Sequence, residues 1–425
     1  MSNVIVEAKS SLKGSVRVPG DKSASHRAVI LSALADGTST IEGLSPGLDV
    51  HGTATIAAQL GASVAIDGSV VSITGPRDGL VASSTPLDCG NSGTTIRLLS
   101  GVVASVDGRH TLIGDHSLSR RPMDRVAIPL RLMGASIGGE GARETPPLTI
   151  DGSNLSGIDY TVPVPSAQVK SAILLAALRA SGDTVVRESL RTRTTTEDML
   201  RHSGVTLSST PEGEGRVIHL RSGRPSPQRW RVPTDPSQAA FFAVLGLIAS
   251  NTTIRILDVE ASPERIGFVS VLQRLGGDVV VERGDGIATL HVASSALTAT
   301  EIHASEIPSV DEAPILSIAA AAATGVTAFR DMGELRLKES DRFAGCMLLA
   351  RSVGATTWSE GDDFFIEGLG SAAQFSSFAI DPGLDHRMVM SAAVAGTAGR
   401  GCTIENPETV SSSYPGFFHD LAQLA

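Results

Sequence analysis

Residues 19–37 read PGDKSASHRAVILSALADG and place two cations, Lys22 and Arg27, at the start of a segment that is otherwise almost entirely apolar. The run from Ala28 to Ala35 predicts a buried helix. A helix N-terminus has unpaired N–H groups and partial positive charge, so cations there oppose the helix dipole unless a negative ligand is bound. Ser23 and Arg27 are four residues apart and so share one helix face. The pattern predicts an anion-binding site.

The same arrangement returns before three other apolar runs. In CGNSGTTIRLL, VPSAQVKSAILL and LDHRMVM the residues concerned are Asn91, Gly93, Thr94, Arg97, Ser166, Gln168, Lys170, His386 and Arg387. A further run, VDEAPILSIA, begins with the carboxylates Asp311 and Glu312 instead. The following LRLKESDRFAG places three charged residues within about one helical turn: Lys338, Glu339 and Arg342.

Taken one at a time, these segments are also typical of solvated helix ends, Gly-Ser turns, helix-start carboxylates and exposed ion-paired turns. Equivalent helix ends of pseudo-symmetric units, however, lie on one face of a domain. Together the segments therefore predict a cationic site for a small, multiply anionic substrate. The carboxylates of these segments are candidates for proton transfer.

An internal repeat predicts the architecture. A polar turn followed by an apolar run recurs six times, at intervals of 69 to 75 residues, beginning near Ser23. Each unit is predicted to contain a strand, a buried helix, a strand, an exposed helix and two further strands. The sixth unit stops at its second helix, so we expect the N-terminal VIVEAKSSLKGSVRV to supply its missing strands. All-apolar helices within strand-bearing units predict an α/β fold with helices inside and sheets outside.

Six units divide most simply into two domains of three. Pro and Gly near residues 19–20 and 234–236 predict the borders, so that 1–19 plus 235–425 form one domain and 20–234 the other. The N-terminal strands would then complete the last unit of the first domain. We expect the active site in the cleft between the domains, with two chain crossings acting as a hinge.

Composition narrows the function classes. The chain has 425 residues, a net charge of −10 and 41% hydrophobic residues, which predicts a soluble globular protein and disfavours a nucleic-acid partner. It lacks an apolar stretch of about 18 residues, so no membrane partner is expected. Three widely spaced cysteines fit a reducing cytoplasm, and the scattered histidines give no support for a metal site. No GxGxxG follows a predicted strand and no GxxxxGKS/T is present, so neither a nucleotide nor another cofactor is expected.

Six ordered motifs carry a family resemblance that covers essentially the whole chain: PGDKSASHR, GNSGTTIR, SLSRRPM, PSAQVKSA, LRLKESDR and DHRMVM. The chain resembles the 5-enolpyruvylshikimate-3-phosphate (EPSP) synthases. The resemblance implies a two-domain inside-out α/β barrel with six βαβαββ-type units, three per domain. It also implies a monomer that transfers the enolpyruvyl group of phosphoenolpyruvate to shikimate 3-phosphate, without a cofactor, through a tetrahedral intermediate.

The resemblance also implies roles for individual residues. Those similar to shikimate 3-phosphate contacts are Lys22, Ser23, Arg27, Ser166, Gln168, Arg193, Asp311 and Lys338. Those similar to phosphoenolpyruvate contacts are Lys22, Asn91, Gly93, Arg121, Gln168, Arg342, His386 and Arg387. The catalytic candidates are Asp311, Glu339 and Lys22, with the assignment of acid and base left open. Arg120 is an alternative to Arg121.

Two positions depart from the pattern of some members. Ser412 stands where they have Lys, and Glu334 stands where they have Asn, which indicates a divergent branch that includes glyphosate-tolerant enzymes. The alternative functions are enolpyruvyl transfer to UDP-N-acetylglucosamine and a non-catalytic role in binding anions or RNA ends. The first family pairs the early Lys with Asn and uses a loop Cys, whereas this chain has Ser23 and a Cys-free GDHSLSRRPM.

Overall fold

The computed structural model describes residues 3–307 and 309–424. Its α-helices are α1 (Lys22–Leu34), α2 (Leu48–Gln59), α3 (Gly93–Val103), α4 (Asp124–Leu132), α5 (Ala167–Ala177), α6 (Thr195–His202), α7 (Pro236–Ile248), α8 (Gly267–Arg274), α9 (Ala313–Ala322), α10 (Arg342–Ser352), α11 (His386–Ala398) and α12 (Phe417–Gln423). Short 3₁₀ helices span Leu118–Arg120, Ala304–Glu306, Met332–Leu337, Ala372–Gln374 and Pro407–Ser412.

The strands are β1 (Asn3–Val6), β2 (Lys13–Val16), β3 (Gly37–Glu42), β4 (Ser63–Asp67), β5 (Val70–Gly75), β6 (Leu87–Asp88), β7 (Gly108–Ile113), β8 (Ser136–Glu140), β9 (Thr145–Gly152), β10 (Asp159–Val162), β11 (Thr184–Glu188), β12 (Leu207–Glu212), β13 (Gly215–Leu220), β14 (Arg229–Arg231), β15 (Thr253–Glu260), β16 (Asp278–Arg283), β17 (Ile287–Ala293), β18 (Glu301–His303), β19 (Thr324–Arg330), β20 (Thr356–Glu360), β21 (Asp363–Leu369), β22 (Phe378–Ile380) and β23 (Cys402–Glu405).

The chain divides into two compact units, each with its own hydrophobic core. Unit 1 comprises Met1–Asp21 and Pro233–Ala425, and unit 2 comprises Lys22–Val232. The chain crosses between the units at residues 21–22 and 232–233, each within two residues of a border predicted from Pro and Gly. One long segment thus forms unit 2, and unit 1 is built from both ends of the chain.

Unit 2 contains three four-stranded sheets of the same design. Their strand orders are β14-β3-β5-β4, β6-β7-β9-β8 and β10-β11-β13-β12. In each sheet the first pair is parallel and the other two pairs are antiparallel. The first repeat takes its leading strand, β14, from the far end of the unit, so the ends of this segment are held together by a sheet.

Unit 1 repeats this four-stranded design in the sheets β16-β17-β15-β2 and β18-β19-β21-β20, and its third sheet, β1-β23-β22, has three strands. The prediction for the N-terminal strands is right for β1, which pairs antiparallel with β23 of the sixth repeat. It is wrong for β2, which pairs in parallel with β15 of the fourth repeat. The fourth repeat has no leading strand of its own before α7, and β2 fills that place.

The predicted buried helices are the cores of the units. Every residue of α7 and α9 is buried, and so is every residue of α11 except Ala398; these three helices contact one another. In unit 2, α3 packs against α1 and α5. A Cβ added at Gly101 on α3 would lie 2.1 Å from the carbonyl oxygen of Ala172 on α5, so only glycine permits this close approach. The second helices, such as α6 and α8, bury one face only.

Candidate active site

The predicted site residues fall into two groups, one in each unit. The cation cluster of unit 2 consists of Lys22, Ser23, Arg27, Asn91, Gly93, Arg121, Ser166, Gln168 and Arg193. The mixed-charge cluster of unit 1 consists of Asp311, Lys338, Glu339, Arg342, His386 and Arg387.

The cation cluster is built at the beginnings of buried helices. Lys22 is the first residue of α1 and Gly93 the first of α3, while Ser166 is the N-cap of α5 and accepts a hydrogen bond from the Val169 N–H at 3.4 Å. Helix α1 is buried from Ser25 to Ala33, whereas the first three residues of the helix are partly exposed. A solute can therefore reach this polar first turn. Backbone N–H groups, the helix dipole and cations are thus available together for an anion.

Arg27 is only 4% exposed, and hydrogen bonds hold its guanidinium in place. Its Nε donates to Thr196 Oγ1 at 2.6 Å, and its two terminal nitrogens donate to the Ser23 carbonyl oxygen and to Ser171 Oγ, each at 2.9 Å. These three acceptors are neutral oxygens that orient the guanidinium. That is the arrangement expected of a cation that binds an anion.

Lys22 and His26 occupy the same helix start with different charges. Lys22 Nζ lies 2.5 Å from Asp49 Oδ2, and both side chains are largely buried. His26 shares a 2.8 Å hydrogen bond with Thr53 through Nδ1. Burial, together with the charges of Lys22 and Arg27, lowers the pKa of His26 well below its usual value, so this imidazole is neutral near pH 7.

Hydrogen bonds join the three helix starts. Arg193 donates to Ser23 Oγ at 3.2 Å. Gln168 Nε2 donates to Thr94 Oγ1 at 3.0 Å, and its Oε1 accepts from Arg97 at 2.8 Å. Together with the hydrogen bond from Arg27 on α1 to Ser171 on α5, these contacts bring residues of α1, α3 and α5 together within unit 2, as the repeat predicted.

Gly93 lies against two guanidinium groups. A Cβ at this position would lie 2.8 Å from a terminal nitrogen of Arg97 and 3.1 Å from one of Arg121. Arg121 is 6% exposed and donates to Asn91 Oδ1 at 2.9 Å, whereas the neighbouring Arg120 is exposed. The structure therefore places Arg121, rather than Arg120, beside Gly93.

The mixed-charge cluster is organised around Arg342, the first residue of α10. Its Nε and one terminal nitrogen donate to the two carboxylate oxygens of Asp385 at 2.8 and 3.1 Å, and Glu339 Oε2 lies 2.7 Å from the guanidinium. Burial by itself lowers the pKa of Arg342, but the adjacent carboxylates outweigh it and raise the pKa, so the group stays charged. Burial likewise raises the pKa of Asp385, but Arg342 and His386 outweigh that effect and the net pKa is lowered.

Asp311 is surrounded by three cations. Its carboxylate oxygens lie 3.1 Å from Arg342, 3.6 Å from Arg387 and 3.8 Å from Lys338. Asp311 lies two residues before α9, whose N-cap is Glu312, so it is not the helix-capping residue that its position suggested. Its carboxylate accepts a hydrogen bond from Arg342 at 3.1 Å, so cations position it and it takes no part in capping α9.

The remaining members of this cluster lie at neighbouring helix starts. Lys338 donates to the Ser309 carbonyl oxygen at 2.9 Å, and His386 is the first residue of α11, for which Asp385 is the N-cap. Glu312 turns away into its own hydrogen bond from Ser237 Oγ at 2.5 Å. Lys170, which the helix-start pattern grouped with the anion-binding cations, is fully buried between Glu188 and Glu197 and belongs to neither cluster.

The chain matches the family model for EPSP synthase (3-phosphoshikimate 1-carboxyvinyltransferase) over residues 6–421. The chain belongs to the EPSP synthase family. A relative from Synechococcus sp. (strain RCC307), a 3-phosphoshikimate 1-carboxyvinyltransferase, is 44% identical over 437 residues, which covers 100% of this chain and 99% of the relative. One from Streptococcus sanguinis (strain SK36), of the same name, is 41% identical and covers 97% of both chains.

Solved structures confirm the fold of this family member. An EPSP synthase from Acinetobacter baumannii superimposes with a TM-score of 0.85 at 37% identity, covering 100% of this chain and 98% of that one. The enolpyruvyl transferase NikO from Streptomyces tendae has a TM-score of 0.76 at 18% identity and shows the shared fold alone. The predicted two-domain inside-out α/β barrel with six repeats is thereby confirmed. None of the helices in residues 3–307 and 309–424 has the length and hydropathy that a bilayer crossing requires.

Two of the residues that depart from the pattern of some EPSP synthases have defined surroundings. Glu334 lies 3.5 Å from Lys338, so the predicted ligand-binding lysine has a second carboxylate partner. Ser412 ends a 3₁₀ helix and donates to the Thr409 carbonyl oxygen at 2.9 Å.

Sequence reasoning missed the carboxylates that hold the cations. Asp49, on α2, pairs with Lys22 from 27 residues away, and no local pattern indicates that contact. A local signal could have identified Asp385, because Asp before a helical HRMVM run is a typical N-cap. Its second role, the bidentate pair with Arg342, depends on tertiary structure.

Proposed function

We propose that this chain is a 3-phosphoshikimate 1-carboxyvinyltransferase, which transfers the enolpyruvyl group of phosphoenolpyruvate to the 5-hydroxyl of shikimate 3-phosphate and releases phosphate. The observation that carries the proposal is the full-length similarity, 44% over 437 residues, to a protein of that name. Both substrates carry a phosphate and a carboxylate, which is the multiply anionic chemistry that the cation cluster suits.

The binding roles follow the family resemblance and the contacts. Shikimate 3-phosphate is assigned to Lys22, Ser23, Arg27, Ser166, Gln168, Arg193, Asp311 and Lys338. Phosphoenolpyruvate is assigned to Lys22, Asn91, Gly93, Arg121, Gln168, Arg342, His386 and Arg387. Support for this comes from the buried guanidinium groups of Arg27 and Arg121, which hydrogen bonds to neighbouring oxygens orient. The proposal requires both clusters to act on the same pair of substrates.

The reaction proceeds by addition and elimination. The 5-hydroxyl oxygen bonds to C2 of phosphoenolpyruvate and gives its proton to a base, while C3 gains a proton from an acid. C3 of the tetrahedral adduct then loses a proton as the C2–O bond to phosphate breaks. No electron acceptor is required, because the addition and the elimination together involve no net oxidation or reduction.

Asp311, Glu339 and Lys22 are the groups proposed for these proton transfers. Asp311 is assigned to orient and deprotonate the 5-hydroxyl, because its carboxylate is positioned by cations and is not occupied in capping α9. The proton that C3 gains is assigned to Glu339, with Lys22 as the alternative acid. The guanidinium groups of Arg342 and Arg387 stabilise the negative charge of the adduct and of the departing phosphate.

We further propose that the enzyme acts as a monomer in the cytoplasm on these small molecules, without a nucleic-acid or membrane partner. Cys89, Cys346 and Cys402 are buried free thiols, which is compatible with a reducing compartment. Burial raises the pKa of Cys402 to about 12, so this thiol is not a reactive thiolate.

Phosphate release tests the proposal. The purified chain is mixed with phosphoenolpyruvate and either shikimate 3-phosphate, UDP-N-acetylglucosamine or no acceptor. We expect phosphate only with shikimate 3-phosphate, together with the enolpyruvyl product by mass spectrometry. Release with UDP-N-acetylglucosamine alone would assign the chain to the other enolpyruvyl transferases, and release without acceptor would indicate a phosphatase.

A further inference from the structure

Helix α5 carries a lysine that is directed into the protein. The side chain of Lys170 is 0% exposed, and its Nζ lies 2.9 Å from Glu188 Oε2 and 2.7 Å from Glu197 Oε1. The same ammonium donates a hydrogen bond to the carbonyl oxygen of Arg193 at 3.1 Å. Lys170 therefore joins α5 to the end of β11, the start of α6 and the backbone of the segment between them.

The surrounding charges are balanced. Arg216 Nε lies 3.7 Å from Glu188 Oε2, so two cations face the two carboxylates of Glu188 and Glu197. Thr192 donates a hydrogen bond to the other oxygen of Glu188. A buried ion-pair group of this kind contributes little net stability after the cost of desolvation, and its better-attested use is to specify one conformation.

The conformation specified here is that of residues 189–194. This segment has no regular secondary structure, yet it carries Arg193, which the family resemblance makes similar to a ligand for the phosphate group of shikimate 3-phosphate. Lys170 holds the carbonyl of Arg193, and the side chain of Arg193 donates to Ser23 Oγ at 3.2 Å. Backbone and side chain of Arg193 are thus fixed at two points, one buried and one in the cation cluster.

We propose that Lys170 is a positioning residue, which places the guanidinium of Arg193 to receive the phosphate group of the acceptor substrate. The inference rests on the proposed function for the identity of that acceptor. Lys170 acts through Arg193 and has no contact with substrate. Its removal should therefore weaken the binding of shikimate 3-phosphate and leave phosphoenolpyruvate binding and the chemical step largely intact.

Steady-state kinetics of Lys170→Met test this. We expect the KM for shikimate 3-phosphate to rise about 10- to 100-fold, as misplacement of a binding group does, with kcat and the KM for phosphoenolpyruvate within about threefold of the parent. Because Lys170→Met leaves two buried carboxylates facing one cation, the charge-matched Lys170→Met/Glu197→Gln keeps the test valid if the single variant does not fold. Arg187→Gln is the control. Arg187 precedes Glu188 in the chain and pairs with Asp159 near the surface, so its removal should change none of the three constants.

A double-mutant cycle separates positioning from general disturbance. If Lys170 acts through Arg193, then Arg193→Ala and Lys170→Met/Arg193→Ala have the same KM for shikimate 3-phosphate within about threefold. Multiplied effects, or a folded Lys170→Met whose KM for shikimate 3-phosphate stays within about threefold of the parent, would overturn the inference.

Hydrogen exchange gives a readout that does not depend on the reaction. We expect faster exchange of peptides covering residues 189–195 in the folded Lys170→Met or Lys170→Met/Glu197→Gln chain than in the parent and in Arg187→Gln. Unchanged exchange there would overturn the role of Lys170 alone. Absence of phosphate release by the parent would overturn the proposed function alone.

Discussion

The two clusters differ in the hydrogen-bond partners that their arginines have, although Lys22 of the cation cluster pairs with the Asp49 carboxylate. In unit 2, Arg27 and Arg121 of the cation cluster and the neighbouring Arg97 donate hydrogen bonds to hydroxyl, amide and carbonyl oxygens. In the mixed-charge cluster, Arg342 contacts three carboxylates, those of Asp311, Glu339 and Asp385. Neutral oxygens orient a guanidinium, whereas carboxylates both orient it and offset its charge.

This difference indicates a division of labour. A guanidinium held by neutral oxygens binds an incoming phosphate or carboxylate with little competition. Carboxylates packed among cations are the groups that can accept and return protons while the local charge stays balanced. We therefore expect substitutions in the cation cluster to act mainly on substrate binding and those in the mixed-charge cluster mainly on turnover.

The largest effect is expected for Asp311→Asn. Asn preserves the size of the side chain but cannot accept the proton of the 5-hydroxyl, so kcat should fall by about 10²–10⁴-fold. Stability should change little, because Asp311 does not cap α9 and Asn keeps an oxygen that can accept the hydrogen bond from Arg342. Phosphate-release kinetics and calorimetry of shikimate 3-phosphate binding measure the two effects separately.

Glu312→Gln is the matched control, since Glu312 is the adjacent carboxylate and accepts hydrogen bonds from Ser237 and Ser309, which Gln can still accept. Its kcat should stay within about threefold of the parent. If Asp311→Asn also stays within that range, Asp311 has no part in the proton transfers and Glu339 and Lys22 share them.

Asp385→Asn tests whether carboxylates hold the mixed-charge cluster together. Breaking a buried ion pair typically lowers the free energy of unfolding by about 3–5 kcal/mol. Because Arg342 keeps two other carboxylate partners, we expect a loss of about 3 kcal/mol at pH 7. The pKa of Asp385 is lowered in the folded chain, so its stabilising contribution is present above the ordinary value of about 3.9 and is lost as the pH falls through the folded value. The difference from the parent in the free energy of unfolding should therefore shrink below about pH 4.

Chemical denaturation of parent and variant between pH 7 and about pH 3 measures this trend. Asp381→Asn is the control, because that residue is exposed in the same loop and accepts a hydrogen bond only from the Gly383 N–H at 2.9 Å. A difference that is independent of pH would show that Asp385 acts by shape and not by charge.

Local signals account for what could be predicted. The repeat and the buried helices follow from apolar runs, and the helix starts at Lys22 and Gly93 follow from polar residues that precede them. The contacts of Lys170 could not be predicted, because its spacing from Ser166 and Gln168 is the same whether it faces a ligand or Glu197. The place of β2 in the fourth repeat and the pairing of Asp49 with Lys22 likewise depend on contacts between distant segments.

Arg27→Met and Lys22→Met test the cation cluster. Either change removes a positive charge from the start of α1, so the KM of the affected substrate should rise by about 10- to 100-fold. Arg27→Met should also destabilise the fold more than Lys22→Met, because it leaves Thr196 and Ser171 without this donor in a buried place. Kinetics beside thermal unfolding measure both.

Arg109→Met is the control for these two variants. Arg109 is an exposed cation of unit 2 that pairs with Asp151 at 2.8 Å on the surface, so neither KM nor stability should change appreciably. Loss of stability with full activity in Arg27→Met would assign that residue a structural role and weaken the contrast between the clusters.

The smallest effect is expected at Gly93, where the cation cluster leaves room for only a hydrogen atom. The new Cβ of Gly93→Ala would lie 2.8 Å from Arg97 and 3.1 Å from Arg121, both at the ends of flexible side chains. The guanidinium groups can therefore move aside while the fold persists. A shift of a few tenths of an ångström in Arg121 should raise the KM for phosphoenolpyruvate by roughly threefold to tenfold, well below the loss from a full 1 Å misplacement.

Gly52→Ala on α2 provides the comparison, because a Cβ there meets nothing within 4 Å. Removing a glycine from a helix interior should stabilise the chain by about 0.5–1 kcal/mol without changing either KM. The two alanines thus separate the effect of replacing a helical glycine from the effect of displacing two guanidinium groups. If Gly93→Ala leaves the KM for phosphoenolpyruvate at the Gly52→Ala value, Arg121 does not bind that substrate, and the neutral partners of the cation cluster serve only to hold the fold.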